Sequence, residues 1–132
     1  MIEAEVTGAR VEEGVAVYSD EVVVDQPEPK VVMTLADVAV AFREWLGAHV
    51  AQMLKFDGFM HASVFTRQAK DEGLAETTQL LLTTVYTLRD RAALEAYFKD
   101  HAAEMRADGL ARFPGKFTGA RRILELSQTI GV

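Results

Sequence analysis

A nine-residue stretch, Trp45-Leu46-Gly47-Ala48-His49-Val50-Ala51-Gln52-Met53, returns 52 positions later as Tyr97-Phe98-Lys99-Asp100-His101-Ala102-Ala103-Glu104-Met105. At about 100° per residue, Phe42, Trp45, Leu46, His49 and Met53 share one helical stripe, and Leu94, Tyr97, Phe98, His101 and Met105 share another. Each stripe carries a histidine one turn after an aromatic residue. Upstream of both, a β-branched run ends in an aspartate suited to cap a helix, Asp37 and Asp90. Downstream of both comes Asp-Gly, at Asp57-Gly58 and Asp108-Gly109, where glycine can take the left-handed turn that ends a helix. The repeated unit is strand, helix, strand.

Two such units predict a strand over Lys30–Leu35, a helix from Asp37 to about Lys55, and a strand over Phe59–Arg67. A charged loop, Gln68–Glu76, then leads to a strand over Thr77–Leu88. A second helix from Asp90 to around Ala107, a turn at Arg112–Phe117 and a strand over Thr118–Ser127 complete the body, and Thr129–Val132 is a frayed tail. The fold class is α+β: a ferredoxin-like β-α-β-β-α-β plan, a four-stranded antiparallel sheet with both helices on one face. Thr77–Leu88 is apolar on both alternating sets of residues, which a half-wet strand is not. Helices cover only one face. A second copy closing face to face on the bare side is the economical way to cover the other.

The formal charge of −6 is concentrated at the front: eight acids and two bases fall within residues 1–30, and the remainder is balanced. Residues 1–29 therefore read as an acidic N-terminal β extension, with Glu12-Glu13-Gly14 turning a hairpin between Glu5–Val11 and Val15–Ser19. Val22–Val24 offers a third short strand. Pro27 and Pro29 mark a boundary, and residues 30–132 form the main domain. A neutral body lacks the positive field that phosphate backbones attract, so nucleic acid is not an expected partner. The chain has no cysteine, which excludes disulfides and thiolate chemistry. No apolar run reaches the ~20 residues that cross a bilayer, and no basic start precedes an apolar stretch. The expectation is a cytoplasmic protein without a membrane partner.

The order Trp45, His49, Gly58, Phe59, then Tyr97, His101, Arg112-Phe113, Lys116-Phe117 and Arg122-Ile123-Leu124-Glu125 resembles a small bacterial family of unknown function with a ferredoxin-like body. That family is similar in fold to the dimeric α+β barrel superfamily, which includes cofactor-free monooxygenases, small-molecule isomerases and haem-handling enzymes. The resemblance spans residues 31–127; it implies the fold and settles none of these activities.

His49 and His101 are the candidate catalytic groups, because imidazole titrates near neutral pH and each sits on an apolar stripe beside Trp45 or Tyr97. Tyr86, on the third strand of the body, is the third. Trp45, Tyr97, Arg112 and Arg122 are candidate ligand-binding residues. The arginines belong to a basic cluster with Arg106, Lys116 and Arg121 that suits a carboxylate or phosphate, or a solvated rim pairing with the acidic segment. Each histidine has a structural alternative, a hydrogen-bonded ring near a helix end. No spacing supports a metal site, and no cofactor is expected, although haem held through one histidine stays open. The leading function is a homodimer with an apolar pocket for a small apolar or aromatic molecule. What the resemblance adds is a cofactor-free, monooxygenase- or isomerase-like activity. The alternative is a non-catalytic interaction or scaffold protein that docks through its acidic arm.

Overall fold

A computed structural model describes residues 9–10, 15–24, 35–75 and 80–131. Its elements are β1 (Ala9–Arg10), β2 (Ala16–Val24), α1 (Leu35–Met53), β3 (Phe59–Arg67), β4 (Leu80–Leu88), α2 (Arg91–Asp100), α3 (Ala102–Arg112), β5 (Phe117–Glu125) and β6 (Thr129–Ile130). A single 3-10 turn, Ala69–Glu72, closed by Gly73 at φ 72°, lies in the link after β3.

Four strands pair antiparallel in the order β3-β4-β2-β5, the ferredoxin-like arrangement. Directly paired residues share a face, so Ala62, Tyr86, Tyr18 and Ile123 form one row across the sheet and Val64, Thr84, Asp20 and Arg121 the next. These rows face the helices. One buried cluster joins Tyr18, Tyr86, Phe59 and Leu88 to Met53, Leu94, Tyr97 and Ala102. The other joins Val22, Val24, Leu80 and Leu82 to Phe42 and Leu46.

The sequence placed the first strand of the body at Lys30–Leu35, and the structure corrects this. Leu35 is already helical and Asp37 lies inside α1, while residues 30–34 fall outside the described residues. The strand that fills the position is Ala16–Val24, between β4 and β5. It is an interior strand, buried at Ala16, Tyr18, Val22 and Val24, so the segment expected as an appendage contributes to the core. Its alternation was visible; the acidic residues around it and the two prolines after it drew the boundary in the wrong place. The expected hairpin is also corrected, because Ala9–Arg10 pairs with Thr129–Ile130 and not with Val15–Ser19. The tail expected to fray supplies that partner strand. Residues 1–8, 11–14 and 25–29 of the proposed extension lie outside the described residues.

The second helix bends where one continuous helix was expected. Asp90 caps α2 by accepting from the Ala93 N–H at 2.8 Å. The helix then breaks at His101, whose φ of −132° and ψ of −25° separate α2 from α3. The bend divides the work: α2 presses Leu94 and Tyr97 into the first cluster, while Gly109 on α3 approaches Trp45 of α1. Asp108-Gly109 consequently lies within a helix rather than at its end.

The face away from the helices carries Val17, Val23, Leu81, Val85, Phe65 and Leu124 around a charged centre. There Arg67 lies 3.6 Å from both Glu21 and Glu72, and Arg122 lies 3.9 Å from Glu21. Phe65 and Leu124 are exposed, whereas Ser19 and Leu81 are buried within the single chain. The bare face is thus mixed in character, less oily than alternation in β4 alone implies.

Candidate functional site

The two clusters do not meet completely. Between them, bounded by the sheet below and by α1 and α3 above, lies a cavity of about 600 Å³, within the range that holds small organic ligands. Tyr18, Tyr86, Tyr97, Met53 and Met105 line one side and Trp45, Val22 and Phe117 the other. Its mouth opens between α3 and the edge strand β5, where the exposed residues Arg106, Leu110, Gly119 and Arg121 meet. Gly119, the β5 residue between Phe117 and Arg121 on that face, has no side chain to narrow the entrance.

His49 projects from α1 onto this cavity. Its position follows from the helical stripe, one turn after Trp45 and one before Met53. The imidazole stacks on the Trp45 indole at 4.6 Å between ring centroids and 27° between planes. Trp45 is in turn fixed by donating from Nε1 to Asp108 at 3.0 Å, and Arg112 donates to the other oxygen of Asp108 at 3.1 Å. His49 Nδ1 is buried and, among the described residues, has no hydrogen-bond partner. Burial lowers the His49 pKa and the Asp108 charge opposes this only in part. The ring is therefore neutral at physiological pH and able to accept a proton.

Three phenols stand together on the wall. Tyr18 lies 5.6 Å from Tyr86 and 6.2 Å from Tyr97, centroid to centroid. Burial raises the pKa of all three, so they are hydrogen-bond donors and not phenolates. Asp20, also on the wall, has its carboxyl pushed above the ordinary value by burial, while Arg106 and Arg121 pull it back. Arg121 is the cross-strand neighbour of Asp20, and its guanidinium lies 4.4 Å above the Phe98 ring, a cation-π contact that holds it in place.

Of the residues singled out in the sequence, the cavity gathers His49, Tyr86, Trp45 and Tyr97. His101 lies elsewhere, stacked on Phe56 at 4.3 Å beside the helix bend. Arg112 is on the surface beside Asp108, and Arg122 points to the opposite sheet face beside Glu21. Tyr18 and Asp20 were missed because their strand was read as an appendage. Alternation alone places both on the face of Val22 and Val24. Arg106 and Arg121 stood in the basic cluster, but nothing in their spacing separates them from Arg112 and Arg122.

The family described as Domain of unknown function (DUF4286) matches residues 32–127. No curated protein matches the chain. Among solved structures, SnoaB, a cofactor-independent oxygenase from Streptomyces nogalater, superposes with a TM-score of 0.60 at 12% identity, covering 88% of this chain and 96% of that one. A Bacillus cereus protein assigned provisionally as an antibiotic biosynthesis monooxygenase gives 0.54 at 9% identity, covering 90% and 99%. An EthD family protein from Bacillus halodurans gives 0.50 at 16% identity, covering 83% and 97%. At these identities the likeness is one of fold, the ferredoxin-like α+β plan.

Proposed function

The chain belongs to the DUF4286 family, and from its own cavity we propose that it binds a small aromatic molecule between helices and sheet and removes a proton from it without a cofactor. The observation that carries this is the meeting of neutral His49 with three protonated tyrosines in one cavity of about 600 Å³. The substrate's acidic C–H or O–H gives its proton to Nε2 of His49, Nδ1 being buried. The electron pair left behind delocalises over the aromatic system onto an oxygen, which accepts hydrogen bonds from the tyrosine hydroxyls. Such an anion either takes a proton back at another atom, an isomerisation, or passes electrons to dioxygen as co-substrate. The second route is the one that the fold likeness to a cofactor-independent oxygenase supports.

The protein works as a homodimer in this reading, with the sheet faces carrying Phe65 and Leu124 opposed across a two-fold axis. Sedimentation at micromolar concentration tests the assembly: a single-chain mass contradicts it. The chemistry is tested by incubating purified protein with hydroxylated polycyclic aromatics and following oxygen uptake and solvent-deuterium incorporation. Turnover abolished in His49→Gln and kept in His101→Gln supports the reading. Equal turnover by wild type and His49→Gln sinks it.

A further inference from the structure

The charges around the cavity are unbalanced in a way that the protein as a whole is not. Among the described lining residues the permanent charges are Arg106 and Arg121, faced by the single carboxyl of Asp20. The chain carries −6 overall, so a basic entrance is a local arrangement and not a reflection of composition. Both arginines stand at the mouth, on opposite walls: Arg106 on α3 and Arg121 on β5. Arg121 is the cross-strand neighbour of Asp20, and its guanidinium packs over the Phe98 ring, a contact that restrains its orientation. Deeper in, the lining turns apolar and aromatic, with Trp45, Met53, Val22 and Phe117. A ligand that satisfies both zones has a flat apolar body and one anionic group at the end nearest the mouth.

We propose that the cavity selects aromatic carboxylates, the carboxylate bridging Arg106 and Arg121 while the ring system lies against Trp45 and His49. This rests on the cavity being a small-molecule site and specifies the ligand's charge and polarity. A planar carboxylate matches the paired donors of a guanidinium better than a hydroxyl or an amide does. It also places the reacting carbon of the ring system inward, toward His49. Asp20 competes with the ligand for Arg121 and so limits affinity for any second negative charge.

Trp45 is the only tryptophan in the chain, so its fluorescence reports on occupancy directly. The full chain is titrated at low salt with 1-naphthoate and, separately, with the neutral isostere 1-naphthamide. Naphthoate is expected to quench with a Kd about tenfold or more below that of naphthamide. Arg121→Gln and Arg106→Gln each remove most of that preference, whereas Arg91→Gln, which pairs with Glu95 and Glu125 away from the cavity, leaves it intact. Asp20→Asn widens it. Thermal melts of each variant establish that it is folded. Naphthamide binding as tightly as naphthoate, or both arginine variants weakening the two ligands equally, overturns the proposal while leaving the cavity a ligand site. Failure of both compounds to quench Trp45 removes the cavity reading and this inference together.

Discussion

Asp57-Gly58 and Asp108-Gly109 follow the two copies of the repeat at nearly the same distance, yet one lies in the turn between α1 and β3 and the other inside a helix. Gly58 takes φ 86° in the turn before β3, and a Cβ there would collide with Cβ of Ala93. Gly109 is helical, and what it lacks in side chain is filled by Trp45, whose ring would lie 2.9 Å from an added Cβ. The histidines differ in the same way: His49 reaches the cavity, and His101 caps a bend against Phe56. The two repeats share a fold unit but not an environment. In the first, α1 runs unbroken for 19 residues. In the second, the bend lets α3 swing over Trp45 and roof the cavity. The repeated unit sets the scaffold, and the departure from it makes the site.

The comparison can be broken at its core positions first. Phe42 and Leu94 are equivalent in the repeat and both are fully buried. Phe42→Ala is expected to cost about 3–5 kcal/mol and Leu94→Ala about 2–5 kcal/mol by denaturant unfolding. A loss below about 1 kcal/mol for either would mean that its copy of the helix does not pack as described. Next come the glycines. Gly58→Ala combines a left-handed backbone with overlap on Ala93 and should cost about 2–4 kcal/mol. Gly109→Ala gains helix propensity while displacing a ring, a net loss of about 1 kcal/mol. It should also change the emission of Trp45, which Gly58→Ala leaves alone. Reversal of that order would place the helix end at Gly109, as the sequence pattern alone suggests.

The smallest effect is in pH dependence. His49 has a folded-state pKa below its unfolded value because burial disfavours the cation. The unfolded chain then binds more protons as the medium is acidified, so the associated stability is present above the ordinary histidine pKa of about 6.5 and is lost as pH falls toward the folded value. His49→Phe should flatten the melting-temperature profile of wild type below about pH 6.5. An unchanged slope would mean that His49 is not buried as a neutral ring.

Most of the sheet and both helix positions were legible because period 2 and period 3.6 survive in the sequence: Phe59–Arg67 coincides with β3, and Leu80–Leu88 lies within the predicted strand. The failure at Ala16–Val24 has a physical origin. Asp20 and Glu21 interrupt its apolar run because the arginines they face, Arg121 beside Asp20 and Arg122 and Arg67 paired with Glu21, come from strands distant in the chain. A carboxyl set against tertiary neighbours looks solvent-exposed when only its sequence neighbours are visible. The site followed the same rule. His49 and Trp45 were found because they share one helix, whereas Asp20 and Arg121 become partners only when β2 enters the sheet beside β5. The bend at His101 has no glycine or proline to announce it.

The central claim is that His49, and not its repeat partner, faces the ligand cavity as a neutral base. Proton NMR of the three histidine rings, followed across pH with and without 1-naphthoate, tests this most directly. The account predicts that the His49 signals titrate below the ordinary histidine range and move when naphthoate binds, while those of His101 keep their positions on binding. Movement of the His101 signals with those of His49 unaffected would contradict it.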